Sequence, residues 1–355
     1  MKKDPSQRAS LWPLVSGRQS AAPQAGEIPD LIPAAERLAR LVSPSMAAYL
    51  LRAAPALCCE VEALSPEEIE KARLRHRLRR HKNLEWLAAL AASGFDVLVL
   101  KGMAAAHDLY PDPDLRGMGD MDLLVERPEL PRLGAFLKDA GFCVHPTRTP
   151  RWGLISDASF HPLVSPDGHC VIDLHVEADD YPVHTSMPVL DVFTHSRMIA
   201  AGGTMLRIPS RTHYLLLATT NAARDKFLPF CLKGFCDFLV LVQNHGKEID
   251  WPEIEHRAGD GGYLKPLACF LALAQALGGT REPLPGHLIP TYEGFPRLVF
   301  NQLVDDFRAF FPRTPGIFAQ AQREIFLTTT TRTLIWKNTR RLKGIFSPYT
   351  GLPPD

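Results

Sequence analysis

The sequence predicts an α+β fold in which a small mixed-sheet core is flanked by helices on both sides along the chain. Short apolar runs alternate with helical patterns over residues 93–208, which indicates a small α/β core. Helical periodicity dominates residues 31–92 and 209–345. The length of 355 residues suits roughly two domains. Hydrophobic residues make up 46% of the chain, and this content excludes wholesale disorder.

The amino-terminal part is predicted to be a flexible leader followed by helices. Residues 1–30 contain four prolines, which is typical of a mobile segment. Ser65 and Pro66, with two glutamates after them, have the pattern of a helix N-terminus. This helix should continue to about Ala92. Five leucines are expected to form its apolar face: Leu74, Leu78, Leu84, Leu87 and Leu90.

Seven basic residues lie along this helix without an acidic residue among them. They are Lys71, Arg73, Arg75, Arg77, Arg79, Arg80 and Lys82. One interpretation is a solvated helix face, and the other is a surface that faces an anion or RNA. The formal net charge of the whole chain is only +1, so no global excess of positive charge indicates an obligatory nucleic-acid partner.

The predicted core alternates three strands with two helices. The strands are expected at 96–100, 121–125 and 169–176, and the helices at 103–109 and 131–140. Asp112 and Asp114 lie beside prolines in the first long loop and are interpreted as turn residues. The later helical patterns cover 212–223, 232–244, 251–257, 264–277 and 317–343, followed by a tail at 346–355.

Asp120 and Asp122 are the strongest local indication of chemistry. They are two residues apart where an apolar strand begins, so both side chains project to the same side. Either they face solvent, or they bind a hard divalent cation such as Mg²⁺, because two carboxylates at the edge of a core repel each other. Asp173 and His175 share one face of the last strand, which could be a surface face, half of a zinc site, or the source of a third carboxylate.

Lys101-Gly102 lies between the first strand and a helix, where a glycine allows the backbone to approach a phosphate. Lys101 would add a positive charge, and Arg116 could bind a phosphate through two hydrogen bonds. No Walker A, HExxH or GxSxG motif occurs. Gly117 and Gly119 begin like a dinucleotide-binding motif, but the third glycine is missing and a strand follows.

These motifs resemble those of the uncharacterised nucleotidyltransferase family of the polymerase-β-like superfamily. The similar segments are Leu98–Gly102, Tyr110, Arg116, Gly119–Val125 and Val171–His175. A less specific similarity extends the match to roughly residues 70–280. The resemblance implies a nucleotidyltransferase core at 93–208 that uses Mg²⁺ or Mn²⁺. Such an enzyme moves an NMP from an NTP to a hydroxyl acceptor (a small molecule, a peptide or RNA) and releases pyrophosphate.

The resemblance also implies a role for each motif residue. Three acids would bind the metal and act in catalysis: Asp120, Asp122 and Asp173. Four residues would bind the nucleotide: Lys101, Gly102, Arg116 and Gly119. Four further residues would surround the site: His175, Lys226, Lys233 and Asp237.

Two departures from the family pattern leave alternatives open. Lys101-Gly102 stands where the wider superfamily has Gly-Gly or Gly-Ser. Thr219, Thr220 and Asn221 stand where the family tends to have a histidine. An NTP-binding module without transfer activity is therefore an alternative, as is a tailoring enzyme for peptides or natural products. A third alternative, an RNA-directed transferase, would use the basic helix and the basic residues near the C-terminus: Arg332, Lys337, Arg340, Arg341 and Lys343.

The cysteine pattern indicates the compartment. Seven cysteines are spread irregularly and form no CxxC pair, which is typical of reduced thiols in a cytoplasmic protein. No apolar run reaches the roughly 18 residues of a membrane-spanning helix, and the N-terminus does not have the pattern of a signal peptide. We therefore expect a cytoplasmic location and no membrane partner.

Overall fold

The computed structural model describes residues 28–52, 64–145, 162–178, 186–277, 283–311 and 313–329, with the single positions 331, 335 and 339. The helices are α1 (Ile28–Val42), α2 (Pro44–Arg52), α3 (Pro66–Ala92), α4 (Lys101–Asp108), α5 (Leu130–Asp139), α6 (Val189–Thr194), α7 (Arg211–Arg224), α8 (Leu232–His245), α9 (Trp251–Asp260), α10 (Leu264–Ala276), α11 (Gly294–Arg308) and α12 (Ile317–Leu327). The strands are β1 (Leu98–Val99), β2 (Met121–Leu124), β3 (Cys143–Val144), β4 (Leu163–Val164), β5 (Val171–His175), β6 (Arg197–Ala201) and β7 (Thr204–Ile208). The predicted α+β class is confirmed.

One five-stranded sheet forms the centre of the fold, in the order β1-β2-β5-β4-β3. The central strands β2 and β5 run parallel, and the other neighbouring pairs are antiparallel. Leu123 and Leu174 face each other across the central pair and are fully buried. This burial explains why both strands are predictable as apolar runs. The two-residue strands β3 and β4 are too short for such a pattern.

A separate hairpin, β6–β7, was not predicted. Gly202 and Gly203 form its turn, and both have positive φ angles of 54° and 86°. A two-residue turn of this kind requires φ values that glycine adopts without strain, and Gly-Gly between two strands is a known hairpin signal. The sequence therefore contained a sign of this hairpin that the analysis of periodicity missed.

Helix α3 begins and ends where the sequence predicts. The Ser65 side chain accepts a hydrogen bond from the Glu68 backbone N–H, and Pro66 takes the first helical position. The predicted apolar face is wrong in its first half, because Leu74 and Leu78 are exposed. Leu84, Leu87 and Leu90 are buried as expected. The first half of the helix instead buries Ile69 and Ala72, and several of its charged side chains form ion pairs.

The basic residues of α3 bind the loop that leads to β2. Arg73 pairs with Asp112 at 2.6 Å, while Arg77 and Arg80 pair with Asp114 at 2.7 and 2.9 Å. Asp112 also accepts a hydrogen bond from the Asp114 backbone N–H, so the turn interpretation is confirmed. The helix face is thus neither simply solvated nor simply open to an anion. Part of its charge holds the loop in place.

The carboxyl-terminal half is helical as predicted, but α11 was not predicted and one predicted helix needs a correction. Helix α12 ends at Leu327 and does not continue to residue 343 as a single helix, because Thr328 has an extended backbone. A run of threonines from 328 to 331 follows it, and β-branched residues lose side-chain freedom in a helix. Residues 1–27, the tail 346–355 and the basic residues from Arg332 to Lys343 lie outside the described residues.

A continuous apolar core connects the sheet with the helices before and after it, from Ala35 to Leu327. The domain boundaries predicted from the sequence stay a prediction. Among the described residues, no helix combines the length and the hydropathy that a membrane span requires. The cytoplasmic location also stays a prediction.

Asp114→Ala is expected to lower the free energy of unfolding by about 1–3 kcal/mol, because Arg77 and Arg80 would lose a buried partner. Urea denaturation followed by circular dichroism measures this change. The matched control is Asp305→Ala on the exposed side of α11, expected to change stability by less than about 0.5 kcal/mol. Equal stability of the two variants would contradict the anchoring role of α3.

Candidate active site

The parallel pairing of β2 with β5 places two predicted acids side by side. Asp122 and Asp173 are register partners in neighbouring strands. His175 lies two residues beyond Asp173 and therefore on the same face of β5. One potential ligand atom from each of these three residues lies within 4.8 Å of the other two. The structure thus brings together residues that are about fifty positions apart in the sequence.

Two cationic or potentially cationic groups compensate the buried Asp122 carboxylate. Lys101 Nζ donates a hydrogen bond to Asp122 Oδ1 at 2.7 Å, and His175 Nε2 lies 3.1 Å from the same oxygen. His175 Nε2 is also 3.4 Å from Asp173 Oδ2. Burial alone would raise the pKa of Asp122, but Lys101 and His175 outweigh this effect and hold the pKa well below its usual range.

The same contacts raise the pKa values of both partners. Burial lowers the pKa of Lys101, but the attraction to Asp122 more than offsets this effect. For His175, burial and the Lys101 ammonium lower the pKa, whereas hydrogen bonds to Asp122 and Asp173 raise it above the ordinary value. The positive charge of Lys101 thus lies where these carboxylates would bind a metal.

The chemistry of this group fits a divalent cation. Asp173 Oδ1 is buried and accepts no hydrogen bond from any described residue, although a buried carboxylate oxygen normally has a partner. His175 Nδ1 is likewise buried without a partner in that part of the chain. Carboxylate oxygens suit Mg²⁺ and Mn²⁺, and an imidazole nitrogen is a further potential ligand.

Asp120 is placed differently from the other two acids. It is half-buried in the turn before β2 and borders the same cavity. It is not among the three residues whose ligand atoms lie within 4.8 Å of one another, where His175 takes the third position. The role of Asp120 as a metal ligand stays a prediction.

A cavity of about 340 Å³ adjoins these acids. Its lining comes from β2 and β5, the start of α4, the loop before β2, and helices α7 and α8 with the turn between them. The predicted residues in its lining are Lys101, Gly102, Arg116, Gly119, Asp120, Asp122, Asp173, Lys233 and Asp237. The volume lies at the lower end of the range of small-molecule sites.

The Lys101-Gly102 turn differs in detail from the prediction. The positive φ angle, 47°, belongs to Lys101 and not to Gly102. At Gly102 an added Cβ would lie 3.4 Å from the Met118 Cβ and 3.8 Å from Arg116 Nη1. The glycine therefore allows close packing beneath the cavity. Lys101 begins α4, whose first backbone N–H groups have no partner within the helix.

Arg116 is committed to another carboxylate. Its Nε lies 2.8 Å from Asp237 Oδ1, and its Nη2 lies 2.7 Å from Asp237 Oδ2. Tyr110 and Tyr214 donate their hydroxyls to the same Asp237 at 2.8 and 3.1 Å. Burial disfavours the charged guanidinium, but Asp237 raises the pKa of Arg116 well above its ordinary value. This buried network joins the loop before β2 to α8. It occupies the guanidinium nitrogens of Arg116, which was predicted to bind a phosphate.

The two predicted lysines have different surroundings. Lys226 Nζ pairs with Glu324 at 3.2 Å and is not among the residues that line the cavity, so its predicted role beside the site stays a prediction. Lys233 does line the cavity and, among the described residues, makes no hydrogen bond or ion pair. Burial and the nearby Arg116 lower the pKa of Lys233 to about 8.

Helix α7 and the turn after it contribute cavity residues that the sequence analysis missed. They include Leu217, Ala218, Ala222, Arg224, Asp225 and Phe230. Spacings of three and four residues along α7 place several of them on one face, a signal that the sequence contained. Thr219 and Thr220 donate their hydroxyls to backbone carbonyls of the same helix. Of the three residues that depart from the family pattern, only Asn221 lines the cavity.

Asp237→Ala should lower the free energy of unfolding by about 3–5 kcal/mol, because Arg116 would keep a buried charge without a partner. Chemical denaturation measures the loss. The double variant Arg116→Met/Asp237→Leu removes both charges and should regain part of the stability, since the Tyr110 and Tyr214 hydroxyls still lose their acceptor. A double variant as unstable as Asp237→Ala would contradict this explanation.

Comparison with known proteins agrees with this geometry. The model of a family described as uncharacterised nucleotidyltransferase matches residues 37–279, which is more than half of the chain. Neither the curated proteins nor the solved structures contain a match. The matched region includes the sheet, the three clustered residues and the cavity lining. The chain belongs to the uncharacterised nucleotidyltransferase family.

Proposed function

We propose that the protein transfers an NMP from an NTP to a hydroxyl acceptor and releases pyrophosphate. The observation that carries this proposal is the register pairing of Asp122 with Asp173 beside a cavity. Two neighbouring carboxylates of this kind suit the metal-assisted transfer of a phosphoryl group. Membership in a nucleotidyltransferase family supports the reaction class.

Asp122 and Asp173 would hold Mg²⁺ or Mn²⁺, with Asp120 and His175 as further candidate ligands or neighbours. A bound divalent ion supplies positive charge that stabilises the phosphate oxygens and the leaving group. Lys101 would give up its bond to Asp122 when the ion binds, and its ammonium would then be available to the phosphates. The amino-terminal N–H groups of α4 favour an anion at the same place.

In the proposed reaction, the acceptor hydroxyl oxygen forms a new bond to the α-phosphorus of the NTP. The bond between that phosphorus and the oxygen bridging to the β-phosphorus breaks, and pyrophosphate leaves. Asp173 takes the proton of the hydroxyl, since one of its buried oxygens accepts no hydrogen bond from the described residues.

The proposed acceptor is a hydroxyl group of a small molecule, a peptide or RNA. The RNA-directed alternative is weakened at α3, because Arg73, Arg77 and Arg80 already pair with acidic residues of the same chain. A small-molecule or peptide hydroxyl is therefore the preferred acceptor.

Asp122→Asn is expected to reduce NMP transfer by at least about a hundredfold, because the substitution removes a carboxylate that would hold the divalent ion beside the reacting phosphate. The measurement uses each α-³²P-labelled NTP with Mg²⁺ and a cell extract, and records labelled products and released pyrophosphate. Asp139→Asn, at the exposed end of α5, is the control. Circular dichroism verifies that both variants are folded.

Undiminished transfer by Asp122→Asn would overturn the proposed mechanism. Metal-dependent NTP binding without transfer by the unchanged protein would instead support the alternative of a binding module. Labelled protein, RNA or small molecule in the extract identifies the acceptor class.

Lys101→Met is expected to tighten Mn²⁺ binding about tenfold in the absence of nucleotide, because the ammonium that occupies Asp122 is removed. Electron paramagnetic resonance of free Mn²⁺ measures the affinity. Lys138→Met, at an exposed position of α5, should leave it unchanged. Weaker binding by Lys101→Met would show that the lysine does not compete with the metal.

A further inference from the structure

Phe230 is an exposed aromatic side chain at the cavity. It lies in the 3₁₀ turn Pro229–Cys231, which leads directly into α8. Although 80% of the residue is exposed, it is part of the cavity lining. Single exposed hydrophobic residues are common on protein surfaces, so exposure alone indicates nothing. Phe318 on α12 is equally exposed, at 78%, but does not line the cavity.

The lining of the cavity that Phe230 borders suits a flat apolar group. Leu217, Ala218 and Ala222 of α7 contribute apolar surface to the same cavity. Gly234, one turn further along α8, also lines it, and a Cβ added there would meet no atom within 4 Å. A stacked nucleobase requires an aromatic ring and open space in the same cavity, since every base has an apolar π-face.

Lys233 lies three residues after Phe230, in the first turn of α8. The other cations of the cavity have partners: Lys101 binds Asp122, Arg116 binds Asp237, and Arg224 pairs with Asp225. Within the described part of the chain, Lys233 has no partner of this kind at hydrogen-bond or ion-pair distance. An ammonium group that forms no hydrogen bond or ion pair with the described residues is available to a ligand anion.

We infer that the turn before α8 and the first turn of α8 recognise the nucleotide, with Phe230 stacked on the base and Lys233 paired with a phosphate. This inference rests on the proposed function and specifies the substrate site. It assigns the base to the side of the cavity that α7, α8 and the turn between them form, whereas the carboxylates belong to the strands of the sheet. Recognition by stacking tolerates different bases, so we expect modest discrimination among NTPs.

Ligands with and without a base separate the stacking contribution of Phe230 from the phosphate contact of Lys233. Calorimetric titrations with Mg²⁺ use α,β-methylene-ATP, which cannot transfer its nucleotide, and inorganic tripolyphosphate, which has no base. Phe230→Ala should weaken binding of the nucleotide about tenfold and leave tripolyphosphate binding unchanged. Phe230→Trp should restore nucleotide binding, because it retains a stacking surface.

Lys233→Met should weaken both ligands about tenfold, because both lose the same charge-assisted contact. Phe318→Ala and Lys247→Met are the matched controls at exposed positions away from the cavity and should bind like the unchanged protein. Thermal unfolding of every variant verifies that the fold is retained.

The outcomes distinguish this inference from the proposed function. Normal nucleotide binding by Phe230→Ala, or equal weakening of both ligands by it, would overturn the stacking role. Unchanged binding by Lys233→Met would overturn its phosphate contact. If the unchanged protein bound no nucleotide, the proposed function would fail together with this inference.

Discussion

The repulsion between two neighbouring carboxylates, Asp122 and Asp173, is the constraint that organises this structure. Parallel pairing of β2 with β5 places the two side chains next to each other on the sheet. Bringing like charges together at low accessibility is unfavourable unless positive charge is close. Lys101 supplies it within the protein, and His175 Nε2 lies close to both carboxylates. In the proposed chemistry, a divalent cation enters from the cavity beside these residues. It replaces the Lys101 ammonium as the positive partner of the carboxylates.

A second set of buried charges holds the segment that carries these acids. Asp114 is bound by α3, and Arg116 is bound by Asp237 of α8. The loop before β2 is therefore fixed by charged contacts from both helical parts of the chain. Such pairs constrain geometry more than they add stability, because desolvation offsets much of their attraction. This arrangement explains why Arg116, a natural candidate for phosphate binding from its position in the sequence, serves as a structural link.

The acids of the site could be predicted because local rules govern them. Alternation along a strand places Asp173 and His175 on one face, and an apolar run predicts that β2 is buried. The partners of the cationic side chains could not be predicted in the same way. Arg116 meets Asp237 across 121 positions, and Lys226 meets Glu324 across nearly a hundred. Nothing in the local pattern distinguishes a lysine that is paired from one, such as Lys233, that lines the cavity without a partner in the described residues.

The sequence by itself determined the α+β class, the extent of α3 and the central strands, because periodicity, capping and strand alternation act over a few residues. It also predicted Asp122 and Asp173, the two acids that the structure places side by side. It also contained the resemblance that the family comparison confirmed. Only the tertiary structure decided which charges compensate each other, that His175 joins Asp122 and Asp173 in the closest cluster, and that Phe230 borders the cavity. These features depend on distances between segments remote in sequence, and electrostatic and packing energies are set by those distances rather than by the local pattern.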